Sequence, residues 1–274
     1  MNANKLTDKQ FEKFCLLIKE RLGIHIGEAK RELVQSKVSK LMRENDLSCA
    51  SYDEYYNLIL PGNNSLWTTF VDEITIHKTN FFREDNHFNF IRDKMDTILK
   101  NNPRIFKNFE IRVWSSACST GDEAYTIAMV LKEYLPPGIN IKILATDISS
   151  KVISEAQQAE YILDSEDLIN PYYLNKYFIK NENKYRIIND IKNLVSFRTF
   201  NLMNAFPFKN NFDIIFCRNV MIYFDSPTQE ELIKKFYNVL VPGGLLFIGH
   251  SESLTQKQYK FNYLQPTIYM RTEQ

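Results

Sequence analysis

The chain reads as a small all-helical part followed by a larger α/β part on a mainly parallel sheet. From Thr7 to about Ile76, apolar residues recur at helical spacing, as at Phe11, Phe14, Cys15, Ile18 and Leu22. Beyond about Phe109 the pattern changes to short β-rich runs separated by helical stretches, the order that a parallel sheet imposes. Those runs are nearly continuous in apolar residues, as strands are when helices cover both faces.

In the N-terminal part, Thr7 stands as an N-cap ahead of Lys9-Gln10, Gly23 and Gly27 bracket a break, and Pro61-Gly62-Asn63-Asn64 punctuates another. Several short helices follow from these signals. The segment Lys30 to Arg43 carries Lys30, Arg31, Lys37, Lys40 and Arg43 against one acid, Glu32. It is either a solvated helix face or a docking surface for an acidic partner. Next, Lys78-Thr79-Asn80-Phe81-Phe82-Arg83-Glu84 joins the halves, and its two aromatics flanked by hydrogen-bonding groups predict a segment folded across something.

Strands are expected at Ile111–Ser115, Ile141–Thr146, Val195–Thr199, Phe212–Cys217 and Leu245–Gly249, with Thr267–Met270 closing the sheet. Helical periodicity covers Ala124–Leu135, Ser150–Ala159 and Thr228–Leu240. Tyr161 to Leu194 fits the alternation poorly and reads as an insertion, with a polar turn at Lys180-Asn181-Glu182-Asn183 and a β-like run at Tyr185–Ile188. The expected division is 1–76 helical, 77–92 linker and 93–274 α/β, with the insertion at about 161–194.

Composition narrows the function classes. With 274 residues, 44% hydrophobic and 24% charged, the chain is long enough for one or two folded domains and unlike a disordered one. Its 34 basic and 33 acidic residues name no partner and count against phosphate neutralisation on a nucleic acid. Cys15, Cys49, Cys118 and Cys217 form no CxxC pair, so neither a zinc ribbon nor a disulfide framework is expected, and a reducing cytoplasm fits. No apolar run approaches the roughly twenty residues of a membrane span, and MNANKLTDKQ lacks the apolar block of a secretory signal. His25, His77, His87 and His250 are scattered, and no metal is expected.

In an open parallel sheet, ligands bind beyond the carboxyl ends of the strands, so the loops after each strand are the places to look. After the first strand comes Ser116-Ala117-Cys118-Ser119-Thr120-Gly121-Asp122-Glu123. Its small residues admit a ligand closely, but one glycine and two acids disfavour a phosphate. Asp122 and Glu123 suit a cationic or amino ligand, or else cap a helix dipole. Asp147 ends the second strand, where a carboxylate can take both hydroxyls of a ribose or simply cap a helix. Asn201 and Leu202 offer an amide and an aliphatic face to an adenine, or a turn residue and a core leucine. Arg218 and Asn219 follow the fourth strand, where the arginine meets either the carboxylate of an amino-acid moiety or a nearby acid. Tyr223 is a core residue or a catalytic one.

These segments resemble the chemotaxis receptor methyltransferase (CheR) family: TNFFRE at 79–84, WSSACSTGDEAYTIAM at 114–129, ATDIS at 145–149, FDIIFCRNVMIYF at 212–224 and PGGLLFIGHSESL at 242–254. The resemblance implies a small all-α domain before a Rossmann-like SAM-dependent methyltransferase domain. It further implies methyl transfer from S-adenosylmethionine (SAM) to chemoreceptor glutamates, with S-adenosylhomocysteine as product. By motif, Thr79 and Arg83 contact the cofactor from the linker, with His77 standing where family members commonly carry Asn. Asp122 and Glu123 lie by the methionine end, Asp147 on the ribose, Asn201 and Leu202 by the adenine, and Arg218 and Asn219 in the wall. Tyr223 stands near the transferred methyl, and either Arg218 or Tyr223 positions the glutamate.

Two departures bear on partners. Asp-Glu-Ala follows the loop glycine where Glu-Glu-Pro is usual, and the Lys180–Lys184 turn is short and lacks the glycine of relatives that tether to a receptor C-terminal peptide. The expectation is a cytoplasmic enzyme acting on the chemoreceptor cytoplasmic domain, without nucleic acid, membrane insertion or that tether. A SAM sensor or scaffold without turnover, and a methyltransferase for a small molecule or nucleic acid, are the rival readings.

Overall fold

A computed structural model describes residues 5–44, 51–60, 64–163, 169–254 and 260–272. Cys49 and most of the Pro61–Asn64 break lie outside them. The N-terminal helices are α1 (Asp8–Leu22), α2 (Arg31–Glu44), α3 (Tyr52–Ile59) and α4 (Asn64–Ile74). Thr7 and Gln10 close a reciprocal capping box on α1, and Gly23 ends it at φ 73°, a left-handed turn that costs glycine little. Phe11, Phe14, Ile18, Val34, Val38, Tyr55, Ile59 and Phe70 form a core of their own, as the periodicity predicts.

The second part follows with α5 (Asn86–Asn101), α6 (Arg104–Asn108), β1 (Glu110–Ser115), α7 (Asp122–Tyr134), β2 (Asn140–Asp147) and α8 (Ser150–Gln158). Helix α5 begins within the expected linker, and its Phe88, Ile91 and Met95 belong to the α/β core, so only 77–85 is irregular. The insertion is a small antiparallel sheet, β3 (Glu160–Tyr161), β4 (Phe178–Asn181) and β5 (Lys184–Ile187) in order β3-β5-β4, with α9 (Pro171–Tyr177) and α10 (Asn189–Lys192). Strands β4 and β5 are joined by a two-residue turn in which Glu182 takes a positive φ of 53°.

The chain continues through β6 (Val195–Thr199), β7 (Phe212–Cys217), α11 (Ser226–Val239), β8 (Leu240–Ile248), β9 (Phe261–Gln265) and β10 (Ile268–Arg271). The main sheet runs β6-β2-β1-β7-β8-β10-β9. Strands β6, β2, β1, β7 and β8 are parallel, and β10 is antiparallel to both neighbours. Strand β9 carries no alternation strong enough to be expected from sequence. The chain goes outward from β1 to β2 and β6, then returns to lay β7 on the other side of β1. The crevice at the carboxyl ends of β1 and β7 is therefore the switch point where an open α/β sheet takes its ligand. Helix α7 is buried from Ala124 to Leu131, sandwiched against the sheet.

No described helix is long and apolar enough to cross a membrane.

Candidate cofactor and substrate site

The helical part is stitched to the switch-point end of the sheet. His25 N–H donates to Tyr223 O at 2.8 Å, Ile24 bridges Phe224, and Lys19 pairs with Asp225 at 2.9 Å. Between the two parts lies a cavity lined by Lys30 and Thr75 from one side and by Ser116, Asp147, Leu202 and Tyr223 from the other. The segment 77–85 forms a third wall. Its aromatics face away from the cavity into the insertion: Phe81 meets Tyr161 and Phe178 edge-on, and Phe82 packs on Tyr173. Phe82 N–H also donates to Thr126 Oγ1 at 3.2 Å, and Ser119 Oγ donates to His77 O at 2.9 Å. These anchors leave His77, Thr79 and Arg83 on the cavity side.

Asp147 is 7% exposed, and burial pushes its carboxyl above the ordinary range against the N–H groups of Ser149 and Ser119. Ser119 N–H reaches one oxygen at 2.9 Å and Ser149 N–H the other at 3.1 Å. A carboxylate accepts about four hydrogen bonds, so each oxygen keeps a lone pair for a diol. The group fits a ribose.

Across the crevice, Arg218 is caged. Its Nε and Nη2 donate to Glu84 Oε2 at 3.3 and 3.0 Å, Nη1 donates to Glu123 Oε2 at 3.0 Å, and Nη2 also donates to Arg83 O. Of five guanidinium N–H groups, one on Nη1 is left for a ligand among the described contacts. Burial pushes Glu123 above the ordinary carboxylate range despite Arg218 and Ser115. Burial also acts on Glu84, but Asn219, Arg218 and His250 N–H together hold it below that range. The two partners of one arginine differ because burial weighs more heavily on Glu123, while Glu84 collects more donors.

Glu84 and Glu252 are the residues the sequence reading missed. Glu252 accepts from the N–H groups of Gly249 at 2.6 Å, Met221 at 2.8 Å, Asn219 at 3.2 Å and Ile222 at 3.3 Å. One buried carboxylate thus folds the turn that carries Arg218, Asn219 and Tyr223. The signal available was an acid within each of two recognised segments. Glu84, Asn219, Ser119 and Phe82 all have positive φ without being glycine, a strain that surrounding contacts must hold and that concentrates at functional sites.

The remaining expected residues divide. Glu123 lines the cavity, whereas Asp122 does not: its carboxylate turns to Thr120 Oγ1 at 2.7 Å. Asn201 lines the cavity, but its Nδ2 donates to Arg21 O at 2.7 Å and its Oδ1 accepts from Met203 N–H at 2.9 Å, so the amide also ties the two parts together. Leu202 lies beside it, buried. The Thr75 hydroxyl donates to Val71 O and sits 2.7 Å from His77 Nε2, which makes Nε2–H the donor of that pair.

The five basic residues of the helical part are not equivalent. Arg31 pairs with Glu28 and Asp8, Lys37 donates to Glu73 O and Thr75 O, and Lys40 pairs with Glu73. Those three serve the helical part itself, which corrects the picture of a uniformly free basic face; Lys30 and Arg43 remain exposed.

Glu84, His87 and His250 bring metal-ligand atoms within 4.8 Å of one another. Glu84 is already saturated by Arg218, Asn219 and His250 N–H, and the guanidinium opposes a dication. Burial and then Arg218 hold His87 down at about 3, so its ring is neutral.

Two family descriptions match the chain: "CheR methyltransferase, all-alpha domain" over residues 9–75 and "CheR methyltransferase, SAM binding domain" over 77–270. The chain is 36% identical over 279 aligned residues to a chemotaxis protein methyltransferase of Borreliella burgdorferi, covering 99% of this chain and 96% of the relative. It is 35% identical to those of Salmonella typhimurium and Escherichia coli, covering 96% of this chain and 90% and 91% of theirs.

Proposed function

The chain belongs to the CheR methyltransferase family and is a SAM-dependent chemotaxis methyltransferase, and on that footing we propose that it esterifies glutamate side chains on the cytoplasmic helices of chemoreceptors. The observation that carries this reading is a layering of charge in one cavity. Deep in it lie acids, Asp147 and Glu123; at its rim stand the cations Lys30, Lys78 and Arg83. Acids below suit a donor that carries an ammonium and a sulfonium, and cations above suit an anionic nucleophile.

When bound, SAM supplies an electrophilic methyl on a positively charged sulfur. A glutamate is already ionised near neutral pH, with an ordinary pKa of about 4.3, so the chain has no proton to remove. Its residues orient and desolvate instead. Asp147 holds the ribose, and Leu202 with Asn201 borders the adenine. Glu123, neutralised in part by Arg218, faces the methionine end, and His77, Thr79 and Arg83 close the linker side. Asn219, Arg218 and Tyr223 are held as one unit by Glu84 and Glu252. Orientation of this kind is worth roughly 7–11 kcal/mol.

Tyr223→Phe is expected to lower turnover more than cofactor affinity, as calorimetry beside initial rates reads out; equal losses in both contradict a role at the methyl. Glu252→Gln turns an NH2 group toward N–H donors. It is expected to cost about 1–3 kcal/mol of stability and to lower turnover while S-adenosylhomocysteine affinity stays within a few-fold.

The proposed setting is cytoplasmic, with receptor helices and not nucleic acid as partner, and with no C-terminal peptide tether because the tight Glu182-Asn183 turn offers no loop for one. Incubation with labelled SAM and receptor cytoplasmic fragments tests the reading. Label released as methanol by alkali is expected, since a carboxyl ester is base-labile. No transfer at all indicates a sensor or scaffold, and alkali-stable label indicates a different acceptor.

A further inference from the structure

Lys30 closes a short 3-10 turn, Glu28–Lys30, immediately before α2, and its Nζ stands 5.8 Å from the centre of the Tyr223 ring. It lines the same cavity as Asp147 and Arg218, although it comes from the helical part. The segment that carries it cannot drift from Tyr223, because His25 N–H is bonded to Tyr223 O and Ile24 is bridged to Phe224. Among the described residues, no carboxylate lies within ion-pair distance of Lys30. Arg31, Lys37 and Lys40 beside it are all engaged, and Arg218 opposite is caged by Glu84 and Glu123. A cation without a counter-ion, fixed against an aromatic ring at the mouth of a methyl-transfer cavity, is a receptor for one carboxylate.

We propose that Lys30 is the substrate-positioning residue that receives the side-chain carboxylate of the incoming glutamate and holds it against Tyr223. The proposal rests on the reading of the chain as a glutamate methyltransferase and adds which group of the helical part touches the reacting side chain. An ammonium is suited to this: it is a compact charge on a flexible stem, and it gathers one oxygen electrostatically without the two-point grip of a guanidinium, leaving the other free to attack. The carboxylate oxygen then forms the new O–C bond as the methyl–sulfur bond breaks and its electron pair returns to sulfur. Lys30 gives up no proton. On this role the helical part, docked on the sheet through His25 and Ile24, supplies one side of the substrate site.

The test compares Lys30→Met, Lys30→Arg and Arg43→Met with the parent, using labelled SAM at saturation and receptor cytoplasmic fragments at varied concentration. Lys30→Met is expected to lose about tenfold to hundredfold in kcat/KM for the fragment, the range of a charge-assisted hydrogen bond. S-adenosylhomocysteine affinity is expected to stay within about twofold, because the donor's groups are held elsewhere. Lys30→Arg, which restores the charge but can grip both oxygens, is expected to recover only part of the loss, and Arg43→Met, which removes an equal charge away from the cavity, to lose no more than about threefold. Parent-like turnover by Lys30→Met overturns the proposal, as does an equal loss in Arg43→Met, which would assign the effect to the general field of the helix. If the parent forms no base-labile ester, the reading of function fails; if the parent does and Lys30→Met does too, only the role of Lys30 fails.

Discussion

Asp147→Ala is expected to abolish measurable binding of S-adenosylmethionine and S-adenosylhomocysteine by calorimetry while the chain stays folded. Two hydrogen bonds from sugar hydroxyls to an ionised carboxylate are together worth about 3–5 kcal/mol, or at least a hundredfold in affinity. The substitution also strips Ser119 N–H and Ser149 N–H of their acceptor, so the small-residue loop after β1 loses one of its ties to the end of β2, the bonds of Cys118 N–H and Ser116 O to Thr146 remaining. A modest loss of thermal stability should therefore accompany the loss of binding. Asp147→Asn keeps the volume and one acceptor oxygen and should bind between the two. Undiminished heat of binding in Asp147→Ala would show that the ribose is held elsewhere, and the assignment of the whole cavity would go with it.

Arg218→Met should be the most destabilising of the single changes considered. The side chain is buried between Glu84 and Glu123, and removing it leaves two carboxylates in the interior with their main counter-charge gone. Breaking a buried pair from one side costs about 3–5 kcal/mol, which for a chain of this size lowers the melting temperature by roughly 10 °C. The loss should depend on pH with a definite sign. Burial already sets Glu123 above the ordinary carboxylate range, and without the guanidinium Glu84 is expected to rise as well. A carboxyl raised on folding favours the folded chain below its unfolded pKa, and that contribution disappears as pH rises through the folded value. The gap in melting temperature between Arg218→Met and the parent should thus be smaller at pH 5 than at pH 8. An equal gap at both would mean that the acids are not the partners that matter.

A strand was legible where burial on both faces demands an apolar run, as at Phe212–Cys217, which is buried at every position. Strand β9 was not, since its half-exposed Phe261-Asn262-Tyr263 has no such demand on it. Asp147 was readable from its place at a strand end, a position where few chemistries are served by an acid. Glu84 and Glu252 were not, because each acts on groups remote in sequence: Glu84 on Arg218, Asn219 and His250, and Glu252 on the turn before Tyr223.

By itself, then, the order of residues determined the helical part, the alternating α/β part, and the strand ends that bear Asp147 and Arg218, since periodicity and strand-end chemistry are local and repeat along the chain. Only the tertiary structure decided between Asp122 and Glu123 for the cavity, set Lys37 and Lys40 to serve Glu73 and its neighbours, and left Lys30 over Tyr223. Which charge is neutralised and which is left to meet a ligand depends on what distant segments bring within hydrogen-bond reach, and no spacing in the sequence encodes that distance.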